Sequence, residues 1–171
     1  MILAKDLTEV RKRDFLKNYN HYNDLNNIET KLVFGKHYDD EVFLTIILPV
    51  YDHPEEFIKR ALDSALEQKC NYLYQIIVID DYAKEKGQTV TEKYIRKLND
   101  SRVIYYKNTK NMGVFGNWNR AVSLAKSKWV SFLHSDDFLK DNYLQNMYDI
   151  IKEHPQIDQL ACNYKKLDFL N

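Results

Sequence analysis

The stretch that decides the fold reads FLTIILPV and spans residues 43–50. It is a continuous apolar run, rich in β-branched residues, with a proline near its end. A strand with one solvated face would alternate apolar and polar side chains, so this run predicts a strand buried on both faces. Strands of that kind belong to parallel sheets covered by helices, and the run therefore predicts an α/β fold.

Helical and apolar segments alternate after this strand. A helix is predicted to start within residues 52–56, where proline and two acids suit a helix N-terminus, and its apolar stripe continues to residue 66. Because right-handed crossovers place helices on both faces of one sheet, we predict a three-layer α/β/α sandwich with a mainly parallel sheet. The other predicted strands lie near 75–80, 102–106, 129–133 and 158–163, and the other helices over 89–98, 117–126 and 138–153.

Residues 1–40 differ from the rest of the chain, because they are polar, rich in Asn and Tyr, and only weakly periodic. We predict an N-terminal polar, helical extension over 1–40 that lies outside the sheet, and one domain over 41–171, where no linker interrupts the pattern. The apolar residues of the extension allow at most one amphipathic helix: Leu7, Val10, Phe15 and Leu16.

Composition excludes several classes of partner. Lys plus Arg and Asp plus Glu both number 25, so no overall field favours nucleic acid or an anionic membrane. No apolar run approaches the roughly 20 residues of a transmembrane helix. Cys70 and Cys162 lie far apart and no signal peptide is evident, which indicates a reducing cytoplasmic location, with peripheral association at the inner face of a membrane as the alternative.

Polar residues follow the predicted strands at their carboxyl ends, where open α/β sheets bind ligands. Acids follow three of the first four strands. The residues that come after the strands are Pro49, Val50, Tyr51 and Asp52; then Asp80 and Asp81; then 108–116; and then His134, Ser135, Asp136 and Asp137.

The last of these groups has two interpretations. If the strand stays extended, His134 and Asp136 share a side and could bind one divalent cation together with a diphosphate. Alternatively, Asp136 or Asp137 caps a helix that begins at Phe138, and His134 is a half-buried histidine.

The pair Asp80 and Asp81 is equally open. A carboxylate at a strand end can accept a hydrogen bond from the N3–H group of uracil or from ribose hydroxyls. It can also form an Asx turn, and an acid pair after a strand also occurs in phosphoacceptor receiver domains.

The stretch NMGVFGNWNR, residues 111–120, places glycines and asparagines at a predicted helix start, where exposed N–H groups and the helix dipole suit phosphate. An ordinary turn and cap would use the same residue types. Dinucleotide, P-loop and nucleophile-elbow signatures do not occur in the sequence.

Together and in order, these segments resemble family 2 glycosyltransferases, which have a GT-A fold. The motifs are TIILPVYD, a helix containing SALEQ, IIVIDD, and NMGVFGNWNRAVSLAKSKWVSFLHSDDFL, and the similarity covers roughly residues 43–163. The resemblance implies an inverting, metal-assisted transferase that moves a sugar from a nucleoside diphosphate donor, in this chain a UDP- or dTDP-linked one, to a glycan or lipid-linked acceptor. Polysaccharide biosynthesis is the expected process, and Mg²⁺ or Mn²⁺ the expected cofactor.

The resemblance also implies residue roles. Pro49, Val50, Tyr51 and Asp52 would line the nucleoside pocket. Asp80 would contact the base, supported by Asp81. Asn111, Gly113 and Asn119 would shape the wall near the ribose and the diphosphate. Asp136 would bind the metal together with His134, which stands where the family usually has aspartate, and Asp137 would orient the donor.

The general base of this family lies well beyond the metal motif, whereas only 34 of the 171 residues follow Asp137. Asp158 and Asp168 qualify by charge alone. We therefore expect a truncated chain whose general base lies outside it. A non-catalytic module that binds nucleotide sugar or docks on a partner transferase is the alternative function, and homo-oligomerisation is open.

Overall fold

The computed structural model describes residues 2–4, 27–81 and 87–166. Within these ranges, strands and helices alternate along most of the chain. The elements are β1 Ile2–Ala4, β2 Thr30–Phe34, β3 Leu44–Val50, α1 Glu55–Leu66, β4 Tyr74–Asp80, α2 Val90–Leu98, β5 Val103–Asn108, α3 Gly113–Leu124, β6 Trp129–Phe132, α4 Tyr143–Glu153 and β7 Gln159–Leu160.

The strands form one sheet in the order β2-β5-β4-β3-β6-β1-β7. The four central strands β5, β4, β3 and β6 are parallel. Antiparallel strands extend both edges, because β2 pairs with β5 on one side while β1 pairs with β6 and β7 on the other. The parallel centre is long and continuous, since β3 and β4 pair over all seven residues from Leu44 with Tyr74 to Val50 with Asp80.

Alternate side chains of the central strands enter two separate cores. The first core joins Ile46 and Ile76 of the sheet to α1, α2 and α4 through Ile58, Ile95 and Leu144. The second core joins Ile47, Ile77 and Ile104 to α3 through Ala121. Helices therefore cover both faces, as the unbroken apolar runs require. Among the described residues, no helix is both long and apolar enough to cross a bilayer.

The predicted α/β sandwich with a parallel centre is confirmed, and the four central strands lie within about two residues of their predicted positions. Three other predictions need correction. The strand predicted at 158–163 is the short antiparallel edge strand β7. The helix predicted at 117–126 begins earlier, at Gly113, and the helix predicted at 138–153 begins later, at Tyr143.

The prediction that residues 1–40 lie outside the sheet is wrong for two segments, because β1 and β2 are both strands of it. β2 pairs with β5 from Thr30 opposite Asn108 to Phe34 opposite Tyr105. The amphipathic helix predicted from residues 7–16 lies outside the described residues. The division into an extension and a domain at residue 40 stays a prediction.

The end of β2 generates a test of this edge of the sheet. Gly35 has φ +78, and a Cβ atom there would lie 2.2 Å from the carbonyl oxygen of Val103. Gly35→Ala should therefore lower the free energy of unfolding by about 3 kcal/mol, since backbone strain and a clash with β5 add together. Urea denaturation of both chains measures the loss.

Gly113 is a control with a similar φ, +71, and no atom within 4 Å of the added Cβ. Gly113→Ala should cost only the backbone strain, about 1 kcal/mol. Equal losses in the two variants would contradict the close approach of Gly35 to β5.

Candidate functional site

The candidate crevice lies at the carboxyl edge of the sheet, at the boundary between β3 and β6. The chain continues from β3 to β4 and β5 on one side and then places β6 on the other, so this boundary is the topological switch point. Pairing of the two strands ends at Ile47 and Phe132, while β3 runs on to Val50. Leu133 N donates to Ile47 O over 2.9 Å, so the backbone of Ile47 faces β6. Pro49, two residues later, faces the same side, but β6 has already ended there. The missing N–H group of Pro49 therefore costs no ladder hydrogen bond.

Two loops meet across this switch point. Tyr51 and Asp52 follow β3 and are exposed, and Asp52 has φ 47, a left-handed conformation that aspartate tolerates. His53 Nδ1 lies 2.7 Å from the hydroxyl oxygen of Ser135 in the loop after β6. Pro49 and Val50, the other residues predicted to line the nucleoside pocket, are buried. They shape the crevice from below, while Tyr51 and Asp52 border it.

The loop after β6 turns instead of staying extended. Asp137 N donates to His134 O over 3.1 Å, so the alternation that would put His134 and Asp136 on one side does not hold. The His134 ring packs against Trp118, with 4.9 Å between ring centroids. Asp136 and Asp137 are both exposed on the turn.

The helix-cap interpretation of these acids is wrong. Helix α4 begins at Tyr143, and its N-cap residue, Asn142, makes no side-chain cap hydrogen bond. Asp136 and Asp137 lie well before that position along the chain, too far to accept from the first N–H groups of the helix. Their exposed carboxylates therefore have no capping function in α4.

The turn suits a cation that a substrate helps to bind. Among the described residues, no group of three or more His, Cys, Asp or Glu side chains could hold a metal ion alone. Mg²⁺ is commonly held by one or two carboxylates, with phosphate oxygens and water completing the shell. Asp136 and Asp137 fit that arrangement, whereas His134 is engaged with Trp118.

The acid pair after β4 lies in a buried polar network. Asp80 is 1% exposed, and its Oδ2 accepts hydrogen bonds from Tyr105 OH over 2.6 Å and from Thr89 Oγ1 over 3.0 Å. Burial raises the pKa of the Tyr105 hydroxyl, which keeps it protonated as a donor. Thr89 also caps α2, because its hydroxyl oxygen accepts from Glu92 N. The orientation of Asp80 is thus tied to the start of α2.

Asp81 turns toward β5 and α3. Its Oδ1 accepts from Asn108 Nδ2 over 2.9 Å and from Met112 N over 2.8 Å. Burial raises the pKa of the Asp81 carboxyl above its usual value, although these hydrogen bonds oppose the shift. The same Nδ2 of Asn108 donates to Asn117 Oδ1 over 2.9 Å.

Asn108 is the centre of this network, and sequence reasoning did not select it. Its Oδ1 accepts from Thr30 Oγ1 over 2.7 Å, and Thr30 Oγ1 accepts from Arg120 Nη1 over 3.0 Å. β2, from the region predicted to lie apart, thus helps to hold the residue that orients Asp81. An asparagine at a strand end, followed by a second one in the next helix, was the available sequence signal.

The start of α3 carries the predicted phosphate wall. Asn111 Oδ1 accepts from Gly113 N over 2.8 Å, and both residues are exposed. Asn119 is exposed on the second turn of α3, whereas Asn117 is buried and donates to Ile79 O over 3.3 Å. Asn117 therefore packs α3 onto β4, which the sequence analysis missed.

From the order of the strands along the chain, Asp80 and Asp136 are predicted to end neighbouring strands and to face one cleft. Both lie at the carboxyl edge, but the two strands are not neighbours. β3 separates β4 from β6. Two strand spacings are about 10 Å, so one nucleoside diphosphate could still reach from one side to the other. That both acids contact one ligand stays a prediction.

A cavity of about 870 Å³ opens beside the turn. It lies between the loop after β6, the start of α4 and residues 162–166, and its volume is in the range of small-molecule sites. Asp136 and Asp137 stand on its wall together with Tyr143, Asn146 and Tyr164. The exposed acids therefore line this cavity.

Comparisons with known proteins agree on one group. Residues 45–168 match the family model described as Glycosyl transferase family 2. An uncharacterized glycosyltransferase of Methanocaldococcus jannaschii is 27% identical over 121 residues, which are 71% of this chain and 41% of that protein. The poly(ribitol-phosphate) beta-N-acetylglucosaminyltransferase TarP of Staphylococcus aureus is 30% identical over 65% of this chain and 33% of its own length. The chain thus spans less than half of either relative.

Solved structures show the same fold. The crystal structure of S. aureus TarS has a TM-score of 0.55 and 26% identity over 67% of this chain and 20% of that one. The structure of TarS 1-349 in complex with UDP has a TM-score of 0.57 and 24% identity, and covers 67% of this chain and 33% of that one.

The network around Asp81 generates a second test. In Asn108→Asp, a carboxylate replaces the amide that donates to Asp81 and Asn117, and a third buried carboxylate is added beside Asp80 and Asp81. We expect a loss of about 3 kcal/mol in the free energy of unfolding at pH 7. Repulsion raises the folded-state pKa values of both carboxyls, so the loss should shrink as pH falls through them. Urea denaturation across pH measures this.

Asn111→Asp is the matched control. Asn111 is exposed and only accepts, from Gly113 N, so a carboxylate can replace its amide. The control should unfold within about 0.5 kcal/mol of the wild-type chain. If both substitutions cost the same, Asn108 does not have the donor role described.

Proposed function

This chain belongs to glycosyl transferase family 2 and has the predicted GT-A fold, and on that premise we propose that it binds the donor in a transferase using UDP-linked sugars. The observation that carries the proposal is the pair of acidic groups flanking the switch point, Asp80 and Asp81 on one side and Asp136 and Asp137 on the other. The fold shared with TarS, which has been crystallised with UDP and with UDP-GlcNAc, supports a uridine donor.

The proposed donor site has a rigid nucleoside half. Asp80, which Tyr105 and Thr89 hold, would contact the base. Asp81, which Asn108 and Met112 N hold beside it, would support Asp80. Tyr51 and Asp52 border the nucleoside, with Pro49 and Val50 beneath. Asn111, Gly113 and Asn119 line the ribose and diphosphate. The buried hydrogen bonds around the acids set their orientation before the donor arrives, which reduces the ordering cost of binding.

The diphosphate half lies at the turn after β6. A divalent cation, Mg²⁺ or Mn²⁺, would be held by Asp136, with His134 as the second predicted ligand, and would offset the charge of the diphosphate leaving group. Asp137 orients the donor from the same turn. His134 would have to leave its packing against Trp118 to bind a cation, so we assign the larger contribution to Asp136.

The proposed reaction inverts the anomeric carbon, and the acceptor, a glycan or a lipid-linked sugar, enters through the cavity beside Asp136 and Asp137. A general base must take the proton of the acceptor hydroxyl. Asp158 is exposed just before β7, and Asp168 lies outside the described residues. We assign the base to neither.

The packing of His134 against Trp118 also favours a second candidate, a module that binds nucleotide sugar without transfer. A chain that binds UDP but releases no UDP when it is incubated with a UDP-sugar and an acceptor would be such a module and not a transferase. Polysaccharide biosynthesis, a cytoplasmic or peripheral location, homo-oligomerisation and a partner transferase stay predictions.

The third test measures the metal dependence of binding. We expect UDP to bind more tightly with Mn²⁺ than with EDTA. Asp136→Asn should reduce this gain in affinity about tenfold, because an amide oxygen lacks the full charge of a carboxylate. His134→Ala should remove less, since neutral imidazole contributes only a lone pair. Calorimetric titration of UDP into each chain, with Mn²⁺ and with EDTA, gives the comparison.

Asp141→Asn is the control, because Asp141 is an exposed carboxylate of the same loop that pairs with Lys69 at 3.0 Å. It should leave both affinities at the wild-type values. Equal UDP affinity in every chain and condition would reject the metal site and leave Asp136 without a function in donor binding.

A further inference from the structure

Three polar residues of α1 and its C-terminal end are spaced four apart and point to one neighbouring loop. They are Arg60, Ser64 and Gln68, and the last two open and close the SALEQ motif. Residues four apart lie on one face of a helix. Each of the three side chains bonds to the backbone of the segment between β6 and α4. We call these three residues the α1 template.

Ser64 connects the helix to the middle of that segment. Its hydroxyl donates to Ala61 O over 2.7 Å and accepts from Leu139 N over 3.0 Å. The hydroxyl thus satisfies a backbone N–H group that lies outside any helix or strand.

Gln68 bonds to this segment and also to α4. Its Nε2 donates to Lys140 O over 2.8 Å and to Ser64 O over 2.9 Å, and its Oε1 accepts from Leu144 N over 2.9 Å. Gln68 is buried, so loss of its amide would leave these backbone groups without a partner.

Arg60 reaches the turn itself. Its Nη2 donates to Asp136 O over 2.7 Å. The guanidinium carbon lies 5.4 Å from the ring centroid of Phe57 and 5.7 Å from that of Phe138, so packing on two rings restrains it. The backbone of the predicted metal ligand is thereby tied directly to α1.

The segment from 133 to 142 contains no helix or strand, and its own backbone hydrogen bonds close only single turns, such as that from Asp137 N to His134 O. We propose that the α1 template positions the turn carrying Asp136 and Asp137, so that Ser64 and Gln68 are positioning residues for cation-assisted donor binding. The proposal rests on the proposed function for the ligand. It adds that the SALEQ motif acts on the site through the loop without touching the donor.

The test compares the metal gain, defined as the UDP dissociation constant in EDTA divided by that in Mn²⁺. Ser64→Ala removes the acceptor of Leu139 N, whereas Ser64→Thr keeps a hydroxyl there. We expect Ser64→Ala to lower the metal gain by about fivefold, Ser64→Thr to restore it, and Gln68→Leu to lower it further, as expected from losing one or more hydrogen bonds. Affinity in EDTA should stay near the wild-type value.

Tyr94→Phe is the control for a general loss of stability, because Tyr94 OH donates to Asp63 and links α1 to α2 rather than to the loop. Its metal gain should equal that of the wild-type chain even where its unfolding midpoint falls. Amide exchange adds a readout without ligand: Leu139 and Asp137 amides should exchange faster in Ser64→Ala and not in Tyr94→Phe.

Each outcome bears on one proposal. A wild-type chain that binds no UDP overturns the proposed function, and amide exchange at Asp137 then still decides whether the template holds the turn. A UDP-binding Ser64→Ala chain with unchanged metal gain and unchanged exchange overturns the template. If Gln68→Leu does not fold, the Ser64 pair gives the result alone.

Discussion

β6 stops at Phe132, opposite Ile47, while β3 runs on for three residues to Val50. A parallel strand that outlasts its neighbour exposes one edge of its backbone, and those polar groups must find partners or be absent. Pro49 lacks one of these groups, the N–H group on the β6 side, while on the opposite edge Val50 O accepts from Asp81 N over 3.0 Å. The loops that border the switch point therefore begin where one strand ends before its neighbour.

The two sides of the crevice are held by different means. On the β4 side, Asp80, Asp81 and Asn108 are nearly inaccessible to solvent, and each is held by hydrogen bonds from groups on strands or helix starts. In such surroundings a missing donor is costly, so the network has one favourable arrangement. On the β6 side the acids are exposed, and it is the backbone of the loop that is held.

The sequence was sufficient where a structure depends on local pattern. Apolar runs such as residues 43–50 are buried on both faces and therefore carry a continuous signal. β2 was not predicted, because an edge strand is only partly buried and its partner β5 lies more than 70 residues away in the sequence. Phe138 and Leu139 continue a helical pattern, but α1 holds this segment in a non-helical form, and that contact spans 75 residues between Ser64 and Leu139. The position of the acids at the carboxyl edge followed from topology, whereas the hydrogen-bond partners of Asp80 and Asp81 depended on such distant contacts.

These differences set an order of local stability within the site. Opening the Asp81 side would break buried hydrogen bonds on β4, β5 and α3 together, which approaches the cost of global unfolding. Opening the turn at Asp136 would separate the loop from α1, His53 and Trp118, while the acids of the turn are already exposed to water. In the proposed donor site, the nucleoside half would therefore be the rigid part and the diphosphate half the part that can adjust. A cation and a diphosphate bound together would then have most of their ordering effect at the turn.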